Sequence, residues 1–122
     1  MERNEDVQTD LFEDNAAKRE EEYRAALAKS YRLLAARGRS EKELREALLR
    51  VKYAREVVEA VLEKCREQHF VDDAKFAQQF VQSRLRNRPM GRERLKMELR
   101  NKGVCNAIIA ATLEEAFAPE DT

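Results

Sequence analysis

The side chains of this sequence best placed to do chemistry are basic. Between residues 84 and 102 stand eight bases (Arg84, Arg86, Arg88, Arg92, Arg94, Lys96, Arg100 and Lys102) against only Glu93 and Glu98. Arg92, Lys96 and Arg100 recur every four residues, which on a helix stacks them into one stripe beside Leu95 and Leu99. Like charges so placed repel by roughly 0.2–0.5 kcal/mol per pair, so a surface shaped by stability alone would alternate its signs. Such a stripe suits phosphate or an acidic protein groove. The bland alternative is a solvated helix face, in a chain that is 39% charged. The residues expected to meet a partner are Arg86, Arg88, Arg92, Arg94, Lys96, Arg100 and Lys102. Arg84 falls in the arc of Phe76, Ala77 and Phe80, where an ion pair or a helix-end contact is the expected role.

Nothing else in the sequence assembles a reaction centre. His69 is the single histidine, and no serine, cysteine or carboxylate is spaced to use it as a base. Asp72 and Asp73 sit where a helix should begin, and the helix dipole accounts for them. Cys65 and Cys105 have no metal-type spacing; Cys65 continues the apolar series Val57, Val61 and is expected in the core, with both thiols free. There is no glycine-rich phosphate loop. The expectation is therefore no catalytic residues, no metal and no cofactor.

The elements that must position the basic block are helices. Ala, Glu, Leu, Arg and Lys abound, while the 122 residues include only 3 Gly and 2 Pro. Residues 1–15 carry many acids and few apolar side chains, and read as an acidic flexible tail. A helical pattern starts near Ala16 with Tyr23, Leu27, Tyr31 and Leu34 on one face, and Gly38 ends it. Ser40 and Glu43 form a capping box that opens a second helix through Leu44, Leu48 and Val51. After a break near residues 52–54, a third helix carries Val57, Val58, Val61 and Leu62. Asp72 caps a fourth helix that Pro89 stops. Gly91 opens a fifth with Leu95 and Leu99, and beyond Gly103 a sixth carries Ile108, Ile109 and Leu113.

A shift of 51 residues carries Leu44 onto Leu95, Leu48 onto Leu99, Val57 and Val58 onto Ile108 and Ile109, and Leu62 onto Leu113. Matching apolar positions across two helices and their turn indicate a tandem unit. The first helix of each copy aligns poorly and is placed by pattern alone. The expected fold is all-α: two three-helix repeats, residues 16–68 and 69–122, in an elongated curved body. A helix-turn-helix reader of DNA sequence is disfavoured, because the start of the last helix, Val104-Cys105-Asn106-Ala107, is short and uncharged where base-contacting side chains are needed. No apolar run is long enough to cross a membrane, and the acidic start is unlike a signal peptide, so a soluble protein is expected.

The stretch HFVDDAKFAQQFVQSRLRNRPMGRERLKMELRNKGV resembles the central signature of the RecX family, through Phe70, Asp72, Asp73, Phe76, Ala77, Arg84, Gly91, Leu95, Leu99, Lys102 and Gly103. Upstream, YRLLAARGRSEKELREALL looks like the first repeat of that family. The resemblance covers roughly Tyr23 to Phe117. It implies an all-helical, non-enzymatic bacterial cytoplasmic protein that lies in the groove of the RecA–DNA filament. It further implies that the protein restrains recombination and SOS activity, and binds DNA weakly and without sequence preference. Two features depart from the family: its members commonly carry three repeats, and the first repeat here has Lys52 where the second has Gly103. If that turn requires a left-handed residue, Lys52 adopts it at roughly 1 kcal/mol of strain. The other readings are a helical-repeat adaptor that binds only protein and a general nucleic-acid-binding module.

Gln8-Thr9-Asp10-Leu11-Phe12 resembles the short peptide by which bacterial proteins dock on the replication sliding clamp, making Gln8, Leu11 and Phe12 candidate contacts. The alternative is a chance match. Because the first fourteen residues offer only Val7, Leu11 and Phe12 beyond Met1 for burial, deleting them is expected to leave the melting temperature nearly unchanged in a thermal scan.

Overall fold

The computed structural model describes residues 2–87 and 90–118, with side chains from residue 15 onward. Its elements are α1 (Glu2–Ala36), α2 (Glu41–Arg50), α3 (Arg55–Glu67), α4 (Asp73–Asn87), α5 (Arg92–Asn101) and α6 (Asn106–Ala116). There is no strand among the described residues. Helix α1 begins at Glu2, upstream of the start expected near Ala16.

Each start and stop has a local cause. Ser40 accepts a hydrogen bond from the Glu43 N–H while the Glu43 side chain accepts from the Ser40 N–H, completing the capping box of α2. Asp72 accepts from the N–H groups of Ala74 and Lys75 at the head of α4. Three helices end on a left-handed residue: Lys52 (φ 73°) after α2, His69 (φ 61°) after α3 and Gly103 (φ 84°) after α5. The Phe70 N–H reaches back to the Cys65 carbonyl at 2.9 Å, and the Val104 N–H to the Leu99 carbonyl at 3.1 Å, so orphan carbonyls of both helix ends are satisfied. The lone histidine thus serves as a helix stop.

The internal repeat is structural. Moved by 51 residues, α2 falls on α5, the head of α3 on that of α6, and the left-handed turn at Lys52 on that at Gly103. Lys52 takes the conformation that Gly103 adopts more cheaply. The offset holds for the first helices as well: α4, moved back, ends where α1 ends, and the fully buried Ala77 falls on the fully buried Ala26. Leu34 likewise falls on Leu85, each packed on its own core, and the buried Ser30 falls on the buried Val81, while most other large side chains have diverged.

Each repeat buries its own core. In the first, Leu44, Leu48, Val58, Val61, Leu62 and Cys65 pack under Tyr23, Leu27 and Tyr31 of α1. In the second, Phe76, Ala77 and Val81 of α4 pack on Leu95, Leu99, Val104, Ile109 and Leu113. Helix packing follows the same division: α1 against α2 and α3, α2 against α3, and α6 against α4 and α5.

Gly103 has a second constraint besides its φ. A Cβ there would lie 2.5 Å from the Cβ of Lys42, because the turn of the second repeat presses against α2 of the first. Gly103→Ala is expected to destabilise the protein by about 1–3 kcal/mol, through left-handed strain and this overlap. At the equivalent position, Lys52→Gly relieves strain and is expected to stabilise by about 0.5–1 kcal/mol. Urea midpoints of the two variants, shifted in opposite directions, check both.

Candidate interaction surface

Helix α5 carries the basic stripe on a well-anchored frame, since Leu95 and Leu99 are fully buried in the second core. Arg92, Arg94 and Arg100 are exposed and Lys96 is half-exposed; Arg86, at the end of α4, is exposed. Among the described residues, no carboxylate pairs with Arg86, Arg92, Arg94 or Lys96, whereas Arg100 donates to the Asn106 side chain at 3.2 Å. Met97 projects among these cations with 61% of its surface exposed. Arg88 lies outside the described residues, and so do the side chains of Gln8, Leu11 and Phe12.

Lys102 is drawn elsewhere. Its ammonium meets Glu43 at 3.1 Å, and its carbonyl accepts a 2.6 Å hydrogen bond from the Ser40 hydroxyl. These contacts belong to a polar joint between the repeats. Across it, Asp73 accepts the Glu41 N–H at 2.9 Å and Lys42 donates to the Asn101 carbonyl at 3.3 Å. Arg66 pairs with Glu41 on the first-repeat side. Sequence reasoning assigned Asp73 to the dipole of its own helix. It does lie in the first turn of α4, and its side chain also caps α2, 32 residues upstream.

Burial sets the electrostatics of this joint. It pushes the Asp73 carboxyl above its ordinary range, although the Glu41 N–H works against the shift. Burial would also raise Glu43, but the Arg37 guanidinium, the Ser40 N–H and the Lys102 ammonium together hold its carboxyl below the usual value.

Arg84 lies over the Phe80 ring at 4.8 Å and pairs with Glu98 at 3.5 Å, a structural contact at the surface rather than inside the apolar arc. Several cations of the first repeat are also engaged. Arg39 donates to the Leu33 carbonyl, and Arg45 forms a two-pronged pair with Glu59 at 2.7 and 2.9 Å. The contrast follows from the repeat itself: Glu41 and Glu43, which help hold the joint, become Arg92 and Arg94 in the second copy.

Among the described residues, no group of His, Cys, Asp and Glu is arranged to hold a metal ion. Cys65 is buried, and burial raises its thiol pKa; Cys105 is exposed, and both are free. No described helix is long and apolar enough to cross a membrane.

Residues 26–65 match the family description "RecX, first three-helix domain", and residues 72–113 match "RecX, second three-helix domain". The chain is 38% identical over 90 residues to Regulatory protein RecX of Pelodictyon phaeoclathratiforme, a match covering 74% of this chain and 56% of that protein. Against Regulatory protein RecX of Mycolicibacterium vanbaalenii the identity is 41% over 100 residues, covering 82% of this chain and 53% of the relative. The chain therefore spans about half the length of the curated relatives it matches. A crystal structure of regulatory protein RecX superposes with a TM-score of 0.78 at 24% identity, covering 84% of this chain and 50% of that one. RecX from Lactobacillus salivarius gives 0.73 at 17% identity over 76% of this chain and 60% of its own. Both likenesses are of fold.

The lowered pKa of Glu43 fixes a sign for acid sensitivity. Its stabilisation is present at neutral pH, above the unfolded carboxyl's titration, and is lost as pH falls through the lowered folded-state value. Glu43→Gln is expected to lower stability at pH 7 by about 1–2 kcal/mol. Its gap to the parent should narrow steadily as pH falls below the ordinary carboxylate range, which urea midpoints over an acid series check.

Proposed function

Because this chain belongs to the RecX family of regulatory proteins, we propose that it is a non-catalytic cytoplasmic regulator of the RecA recombinase that binds the groove of the RecA–DNA filament and restrains recombination and SOS activity. One observation carries the reading. Arg86, Arg92, Arg94 and Lys96 crowd one end of the second repeat with no carboxylate partner among the described residues, in a protein whose other basic side chains often pair within the fold. Unpaired like charges on a rigid helix favour a polyanionic partner. The filament offers phosphate and acidic protein surface together. Phosphate contacts carry no sequence information, so the DNA binding proposed for these cations, a weak one, is independent of sequence.

Met97 favours one second reading. An exposed thioether inside the basic face gives a protein partner an apolar anchor that phosphate does not use, which suits a helical-repeat adaptor for an acidic protein.

Replacing Arg92, Lys96 and Arg100 together with Ala is expected to weaken filament binding by roughly 1–3 kcal/mol in total, and to flatten the slope of log affinity against log salt by up to about three. Stability should move little, because relief of like-charge crowding offsets lost surface contacts. Co-sedimentation with RecA filaments over a salt series measures both effects. If the triple variant binds and restrains RecA as the parent does, the basic block is a solvated face.

A further inference from the structure

A groove of about 730 Å³ opens where the two repeats meet. One wall is the end of α1, with Tyr31 and Leu34; the other is the start of α4, with Lys75 and Phe76; the α3–α4 turn presents Phe70 between them. Phe70 is 55% exposed, and its ring meets Tyr31 edge to face, with centroids 5.7 Å apart. It is no loosely held side chain. The left-handed His69 and the Phe70 N–H bond to Cys65 fix its backbone, so an apolar ring is held at the mouth of an apolar cleft. Covering such surface is favourable by roughly 25 cal/mol per Å², and nothing in the described chain covers it.

The rim is cationic but not densely so. Arg39 uses its Nε to donate to the Leu33 carbonyl, leaving the outer guanidinium nitrogens available, and Arg37 and Arg50 add to the positive field around it while Glu43 offsets part of it. Lys75 is exposed, with no carboxylate partner among the described residues. Asp72 also lines the groove, its carboxylate engaged with the first amides of α4. Two cations facing one engaged acid accept a single added negative charge. A nucleic-acid strand brings a phosphate with every nucleotide and would meet the Asp72 carboxylate as well. The walls and the charge count fit a protein segment instead.

We propose that this inter-repeat groove is a docking site for an acidic protein segment, which inserts one large apolar side chain between Tyr31, Leu34, Phe70 and Phe76 and sets a carboxylate against Arg39 and Lys75. Because one wall belongs to each repeat, the bound segment also fixes the angle between them, which otherwise rests on the polar joint. The proposal rests on the RecA reading in one respect: the segment is sought on the RecA polypeptide of the filament.

The test uses the full chain with p-benzoylphenylalanine in place of Phe70, irradiated on RecA filaments assembled on fluorescent single-stranded DNA. The expected result is an adduct to the RecA polypeptide, reduced at least fivefold by Lys75→Glu, with the melting temperature of both proteins unchanged. A separate variant, Phe70→Ser, is expected to weaken co-sedimentation with filaments at least fivefold without loss of stability. An adduct to DNA overturns the proposal in favour of a nucleic-acid groove. No adduct, while the parent still co-sediments, overturns the groove and leaves the RecA reading standing. A parent chain that does not co-sediment removes the RecA reading and this proposal with it.

Discussion

The Ser40 hydroxyl accepts from the Glu43 N–H inside its own repeat and donates to the Lys102 carbonyl of the next, and the relative placement of the two repeats depends on that junction. The two apolar clusters are separate: one holds residues from α1 to the α3–α4 turn, the other residues from α4 to α6. What joins them is polar. A neutral hydrogen bond contributes about 0.5–1.5 kcal/mol net and an exposed ion pair about 0.2–1 kcal/mol. A few such contacts hold an orientation without fusing two cores into one. Gly103 sharpens the joint, because only a residue without a side chain allows its turn to approach Lys42 so closely.

Both copies fold alike because the positions that face inward stay apolar, while the outward positions are free to exchange sign. Leu44 and Leu48 correspond to Leu95 and Leu99, and all four are fully buried. Between those anchors Glu41 and Glu43 have become Arg92 and Arg94. In the first copy these positions grip the next repeat; in the second the same face carries cations that no described carboxylate neutralises. One helix surface has thus been used first for an internal contact and then for an external one. The charge reversal also disfavours stacking of a second copy there by the first repeat's own scheme. By that scheme the Lys102–Glu43 pair of the internal joint would be replaced by Val51 opposite Arg94.

Much of this was legible in the sequence where the cause is local. The capping box at Ser40 and Glu43, the Asp72 cap, the left-handed Lys52 and the burial of Cys65 each follow from a residue type and its near neighbours. The alignment of α1 with α4 was less visible, because its inward signal is confined to Ala26 with Ala77, Leu34 with Leu85 and the dissimilar Ser30 with Val81. The long-range contacts of Asp73 and Lys102 were not legible for a different reason. Their partners lie 32 and 59 residues away, and side-chain pairing at that range depends on how one repeat is turned against the other. The exposure of Phe70 has the same origin, since the His69 turn and the separation of the two cores together hold the ring at the groove.

These contacts respond differently to salt, which bears on how binding is to be understood. The pair Lys102–Glu43 is half-shielded, with Glu43 only 13% exposed, so screening weakens it less than it weakens the open cations of α5. The Ser40–Lys102 hydrogen bond and the Gly103–Lys42 approach involve no pair of net charges and are nearly insensitive to ionic strength. Salt within the physiological range therefore acts first on the outer face of the second repeat and only later on the joint. A loss of affinity at moderate salt reports on the stripe. The joint's own contacts give way instead to acid, which neutralises Asp73 before Glu43, or to a side chain at position 103, which forces the turn away from α2.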